Sequence, residues 1–168
     1  MLEEKRKYNG ILKDELWFKK MIKPVWVILA SDKIDLDALI PWLAILPCNF
    51  IISWRKIDNL PSNVACLQDW FDLHKTWLDF ILTDIESDLE AYLSVWVVPI
   101  ISSGAIINYD IEEFNPLSNV WNSFLFWDSS HWGMYYALVK YLENFKFPYD
   151  NKTLVKNVLE TVMEFEEE

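Results

Sequence analysis

The chain has 168 residues, is 52% hydrophobic and 16% aromatic, and carries a formal net charge of −11. That length fits one globular domain, residues 1–168, with 1–9 and 166–168 expected to fray. The excess of carboxylates excludes a nucleic-acid binder that works through Lys and Arg contacts to phosphate, and permits a partner with a basic surface, a toxin or nucleic-acid-acting enzyme among them.

The charge is uneven. Residues 1–75 hold eleven basic and ten acidic groups, 76–139 hold none and nine, and 140–168 hold four and seven. Cys48 and Cys66 are the only cysteines, too few for a disulfide framework or a metal site, which points to a reducing cytoplasm. The N-terminal Leu2-Glu3-Glu4-Lys5-Arg6-Lys7 has no apolar run behind it, so no cleavable signal peptide is expected. The uncharged runs Ala38–Trp54 and Ala91–Tyr109 approach the length of a membrane span. Pro41, Pro47 and Asn49 in the first, and Pro99, Ser102, Ser103 and Gly104 in the second, divide each into two short buried elements, so no membrane role is expected.

In chain order, Gly10–Ile22 is predicted as a first helix, with Lys19, Lys20 and Lys23 complementing the dipole at its end. Pro24–Ala30 is a continuous apolar run, the pattern of a strand buried on both faces. A short helix follows around Leu36–Leu46, then a second strand within Cys48–Ile57. Pro61–Glu90 is predicted as a long amphipathic helix, capped by Ser62 or Asn63. Its apolar side is Leu67, Trp70, Phe71, Trp77, Leu78, Ile81, Leu82 and Ile85, and Asp72, Asp79 and Glu86 recur every seven residues on the other. Tyr92–Ile101 is a third strand. The turn Ser102-Ser103-Gly104 then returns Ala105–Tyr109 as a hairpin partner. Val120–Trp127 fits strand or helix. A helix over His131–Phe145, capped from Asp128, Ser129 or Ser130, is broken at Phe147-Pro148-Tyr149-Asp150, and a last helix covers Asn151–Phe165. The alternation predicts an α/β domain with a mixed, mostly parallel sheet of four to five strands flanked by helices, or alternatively an α+β arrangement.

Chemistry is sparse. Gly10, Gly104 and Gly133 are the only glycines, which excludes a glycine-rich phosphate loop but not a nucleotide site built from side chains. Asp32, Asp35 and Asp37 follow the first strand, where a Mg²⁺ site can form, although carboxylates at a helix N-terminus explain them more simply. His74 falls on the apolar stripe of the long helix as a core residue. Asp128, Ser129, Ser130 and His131 collect the residue types of a catalytic triad, but so short a segment rarely supplies its geometry, and a helix cap accounts for them.

The leading expectation is therefore a tryptophan-rich, acidic binding protein without cofactor, acting as an inhibitor of a basic protein in the manner of an immunity protein or a phage anti-defence inhibitor. Asp72, Asp79, Glu86, Asp110, Glu112 and Glu113 would form its partner-binding face, because a one-signed field suits a partner of opposite sign. A non-catalytic subunit of a larger assembly and a small metal-dependent enzyme using Asp32–Asp37 are the alternatives.

Overall fold

The computed structural model describes residues 7, 10, 11, 13, 14, 16, 18, 24–29, 31, 34–53, 56–67, 78–85, 89–105, 110–115 and 117–165. Six strands form one sheet: β1 (Val25–Leu29), β2 (Asn49–Ser53), β3 (Val64–Leu67), β4 (Phe80–Thr83), β5 (Val98–Ser102) and β6 (Phe124–Phe126). Their order is β3-β2-β1-β4-β5-β6, and every neighbouring pair is parallel. The α/β class thus holds, with one or two strands more than predicted and no antiparallel pair between them.

The helices are α1 (Leu36–Leu43), α2 (Leu89–Leu93), α3 (His131–Phe145) and α4 (Pro148–Phe165). α1 packs on α3, and α2 packs on α4 and β5. The chain leaves β1 toward one edge through β2 and β3, then returns to start β4 on β1's other side and continue outward. This is a doubly wound sheet whose order reverses between β1 and β4.

Register explains the core. Trp26 lies opposite Phe50 on one side and Phe80 on the other. Tyr141 of α3 packs edge-on against Trp26, with ring centroids 5.7 Å apart, and also meets Phe80 and Phe124. Three parallel strands therefore present a row of rings that one helix covers. Trp26, Phe50, Phe80, Phe124 and Tyr141 are all fully buried. Buried rings of this size supply a large share of the hydrophobic stabilisation.

The predicted long helix is corrected. Residues 64–67 and 80–83 within it are strands. Its apolar positions satisfied a 3.6-residue period, yet Leu78 and Phe80–Leu82 are a short run buried on both faces of a parallel sheet, which carries no alternation. Asn63 caps no helix there. Its side-chain amide donates to the carbonyls of Leu43 at 2.9 Å and Cys48 at 3.0 Å, fixing the turn before β3 to the end of α1.

The hairpin expected after Ser102–Gly104 is corrected too. Ser103–Ala105 is a 3₁₀ turn, and β5 is already flanked by β4 and β6. Residues 106–109 lie outside the described residues, as do most of the predicted first helix and the C-terminal 166–168. The predicted third strand is confined to Val98–Ser102, Tyr92 and Leu93 closing α2 instead. Val120–Trp127 holds a strand at Phe124–Phe126, and the last helix starts at Pro148, three residues earlier than predicted. Both uncharged runs divide into a short helix, a turn and a buried strand, and among the described residues no helix is long and apolar enough to cross a membrane.

Candidate functional site

In a doubly wound sheet, the loops that leave the two strands at the order reversal move apart and open a crevice at their carboxyl ends, where ligands bind. Here those strands are β1 and β4. Ser31 follows β1 and Asp84 follows β4 directly. The Asp84 carboxylate accepts a hydrogen bond from the Ser31 backbone N–H at 2.9 Å and another from its hydroxyl at 2.5 Å. The two residues thereby tie the sides of the crevice together. The Ser31 carbonyl also accepts from the Ile34 N–H at 3.2 Å, so the chain turns tightly here before α1. On the β4 side, the Thr83 hydroxyl donates to the Ile85 carbonyl at 3.0 Å and accepts from the Ile85 N–H at 3.1 Å. Both lips of the crevice are held by short-range hydrogen bonds, so polar groups there keep their positions.

Beside this tie lies a cleft of about 350 Å³ lined by Ile34, Asp35, Leu36, Asp37, Lys56 and Ile57. Its lining combines Ile34, Leu36 and Ile57 with two carboxylates and one ammonium group. Asp35 caps α1, its carboxylate accepting from the Ala38 N–H at 3.1 Å, and Asp37 lies in the first turn. Both match the dipole preference anticipated for them. Among the described residues, no group of three or more His, Cys, Asp and Glu is placed to hold a metal ion, and Asp32 lies outside them.

The start of α3 follows β6, at the carboxyl end of the sheet's edge strand. The Ser130 hydroxyl accepts from the Gly133 N–H at 3.3 Å and caps the helix. Asp128 in turn accepts from the Ser130 N–H at 3.0 Å and from its hydroxyl at 2.7 Å. These bonds, the side-chain one foremost, hold the Asp128 carboxyl below the ordinary carboxylate range, with the charge of His131 assisting. Gly133 is required by space: a Cβ there would lie 2.1 Å from the Asp128 carbonyl oxygen. Asp128, Ser130 and His131 are therefore a helix start and not a triad, as the segment's shortness implied. A capped helix N-terminus at the carboxyl end of a parallel strand offers backbone N–H groups to an anion.

The residues expected to bind a partner separate. Asp79 begins β4 at the opposite, amino-terminal edge of the sheet, where its carboxylate accepts from the Val25 N–H at 2.9 Å. It is not part of a helical stripe, and Asp72, Glu86 and His74 lie outside the described residues. Asp110 and Glu112 do converge. With Asn122, Asn157, Glu160 and Thr161 they help line a cleft of about 390 Å³ between α4 and the chain entering β6. The Asn122 amide donates to the Asp110 carbonyl at 2.8 Å and to the Thr161 hydroxyl at 2.6 Å, and its carbonyl accepts from the Glu112 N–H at 2.8 Å. Glu113 instead meets Lys140 at 2.6 Å. Lys140 is the first basic residue after the cation-free section.

Neither Ser31 nor Asp84 stands out in the sequence as a site residue. The usable signal was the pair of apolar runs, 24–30 and 80–82, the first followed by Ser31 and the second by Thr83 and Asp84.

No protein-family model matches the chain, and no curated protein is significantly similar to it in sequence. Solved structures are similar in fold. The glycosyltransferase SnogD from Streptomyces nogalater matches with a TM-score of 0.54 and 15% identity, over 89% of this chain and 39% of that one. The spinosyn forosaminyltransferase SpnP matches with a TM-score of 0.60 and 15% identity, over 92% of this chain and 45% of that one. A structure describing EarP-mediated arginine glycosylation of translation elongation factor EF-P matches with a TM-score of 0.61 and 9% identity, over 95% of this chain and 61% of that one. The chain thus spans about two fifths to three fifths of the length of these structures. The likeness is one of fold. It overturns the expectation of an inhibitor or immunity protein. A solvated acidic helix suggested a binding surface, but Asp79 directly precedes β4 of a parallel sheet and no helix runs through 78–85.

Proposed function

We propose that this chain is a nucleotide-sugar-binding unit of a glycosyl-transfer enzyme. The observation that carries this is the Ser31–Asp84 tie across the order reversal of an all-parallel, doubly wound sheet. Three features support it. The fold is shared with glycosyltransferases. The cleft beside the tie pairs Ile34, Leu36 and Ile57 with Asp35, Asp37 and Lys56, a mixture suited to a base or sugar ring with hydroxyl groups. The start of α3 supplies N–H groups and a positive dipole end for a diphosphate.

On this account the chain's own residues bind and orient. Asp35 and Asp37 accept hydrogen bonds from hydroxyls, Lys56 neutralises phosphate charge, and the α3 start receives the diphosphate that departs when the sugar is transferred. Concentrating positive potential at helix ends fits a chain whose central section has no Lys or Arg. We also place the protein in the cytoplasm, consistent with Cys48 and Cys66 being thiols outside any disulfide. The Asn151-Lys152-Thr153 sequon is then idle. Its Asn151 carbonyl oxygen already accepts from the Tyr141 hydroxyl at 2.7 Å.

Calorimetric titration with the diphosphates of uridine, thymidine, guanosine, cytidine and adenosine tests the proposal. Saturable binding of at least one is expected, weakened at least tenfold by Lys56→Ala. Heats no larger than dilution for all five would overturn it.

A further inference from the structure

The cleft between α4 and the chain entering β6 lies at the amino-terminal end of that strand, away from the strand ends that Ser31 and Asp84 join. Three of its lining side chains, Asn122, Asn157 and Thr161, are buried, at 4%, 9% and 6% exposure. Both amide hydrogens of Asn122 are taken, by the Asp110 carbonyl and the Thr161 hydroxyl. Both of Asn157 are taken too, by the carbonyls of Asn119 at 2.8 Å and Trp121 at 2.7 Å. The Thr161 hydroxyl gives its own hydrogen to the Asn157 backbone carbonyl at 3.0 Å. The buried donors of the cleft are therefore used up, and an acceptor is left over. Among the described residues no group donates to the Asn157 side-chain oxygen, although the residue lines the cleft and is nine-tenths buried. Buried amide oxygens are nearly always hydrogen-bonded, so this one calls for a donor from within the cleft.

We propose that this cleft binds a small organic cation of the aliphatic polyamine class, one ammonium group donating to the Asn157 side-chain oxygen and another meeting the carboxylates of Asp110 and Glu112. An ammonium group has three donors and no acceptor, the complement of a cleft whose buried side chains have an acceptor to spare. Asp110, Glu112 and Glu160 add charged acceptors beside it. Two lysines lie near enough to compete, and each has its own partner. Lys140 meets Glu113. Lys156 meets Glu160 at 2.8 Å with 70% of its side chain exposed, a pair that contributes little and is readily exchanged. The Asp110 and Glu112 carboxylates form no ion pair among the described residues. The three carboxylates do not gather closely enough with one another to hold a bare metal ion, whereas a flexible chain bearing several ammonium groups can span them. The volume of about 390 Å³ falls in the roughly 300–1,000 Å³ range of small-molecule sites. A neutral polyol could donate to Asn157 but would gain nothing from the carboxylates. The site is separate from the nucleotide cleft and does not rest on the glycosyl-transfer reading.

The test is calorimetric titration of the full chain with spermidine in low salt, with magnesium chloride and an arginine-rich peptide as competing probes. Saturable binding of one spermidine per chain is expected. Asp110→Asn combined with Glu112→Gln should weaken it at least tenfold with the melting temperature unchanged, because only the backbone groups of these two residues bond to Asn122 and Ser123. Should that double variant melt early, Glu112→Gln alone should still weaken binding several-fold. Asp58→Asn combined with Glu143→Gln removes as much charge from exposed positions outside the cleft, and should leave the affinity within twofold of wild type. Equal weakening by the two double variants would show diffuse attraction to an acidic chain and overturn the proposal. The absence of saturable spermidine binding would overturn it as well. So would displacement of spermidine by an equimolar amount of magnesium, which would assign the carboxylates to a metal ion, or binding of the peptide alone, which would assign the cleft to a protein segment.

Discussion

Ser31 and Asp84, 53 residues apart in sequence, meet across the reversal of strand order, the Asp84 carboxylate accepting both the N–H and the hydroxyl of Ser31. One side chain thereby satisfies two donors that the end of a buried strand leaves open. The same contact fixes how far the lips of the crevice stand apart.

Asp84→Ala leaves a part-buried N–H and hydroxyl without this acceptor. A stability loss of about 1–3 kcal/mol is expected by urea denaturation, the usual cost of orphaning such donors. Ser31→Ala, which removes one donor and leaves the other paired, should cost less, about 1 kcal/mol. Equal losses for the two would show that the tie does not act as described.

Gly133→Ala drives a Cβ toward the Asp128 carbonyl oxygen, a backbone atom that cannot swing aside. The start of α3 must then shift, and a loss of about 2–3 kcal/mol is expected, at the upper end of ordinary single substitutions. Gly10→Ala is the control. A Cβ at Gly10 meets nothing within 4 Å, so its melting temperature should match wild type or exceed it.

Tyr141 gives the fold an alkaline limit. Burial foremost, then the charges of Asp79 and Cys48, push its phenol well above the ordinary value of 10.0. The folded state keeps this proton where the unfolded chain releases it. The stability contributed is therefore complete below about pH 10, the unfolded value, and is lost as pH rises beyond it. Stability measured from pH 9 to 11.5 should fall, and the fall should be shallower in Tyr141→Phe. At pH 7 that variant should lose about 1 kcal/mol through the missing hydrogen bond to Asn151.

Glu113 and Lys140 form a partly exposed ion pair, with 33% and 27% of their side-chain surfaces accessible. Such a pair contributes about 0.2–1 kcal/mol. Double-mutant cycles in low and high salt should return a coupling of that size that shrinks with salt.

Much of the fold was legible in local pattern. The apolar run Pro24–Ala30 marks a strand buried on both faces, and Ser130 before His131–Phe145 marks a capped helix. Pro148, placed as a breaker, starts the next helix, because the first turn needs no N–H from its first residue. β3 and β4 were not legible. Their four residues each fit within a helical periodicity that Trp70, Phe71 and Trp77 seemed to reinforce. The site was hidden for a related reason. Ser31 and Asp84 acquire meaning only once β1 and β4 are neighbours, which is a property of the sheet order and not of any local pattern. With three glycines in the chain, the phosphate-loop signature that usually announces such a crevice was also missing.

The most direct test of the nucleotide-binding account is a backbone-amide NMR titration of the full chain with the nucleoside diphosphate that binds in calorimetry. Saturable shifts are predicted at Ser31, Asp35–Asp37, Lys56, Asp84–Ile85 and Ser129–Gly133, together forming one surface at the carboxyl ends of the strands. Shifts confined to Asp110–Asn122 and Asn157–Thr161, or to the Asp79 end of the sheet, would contradict it.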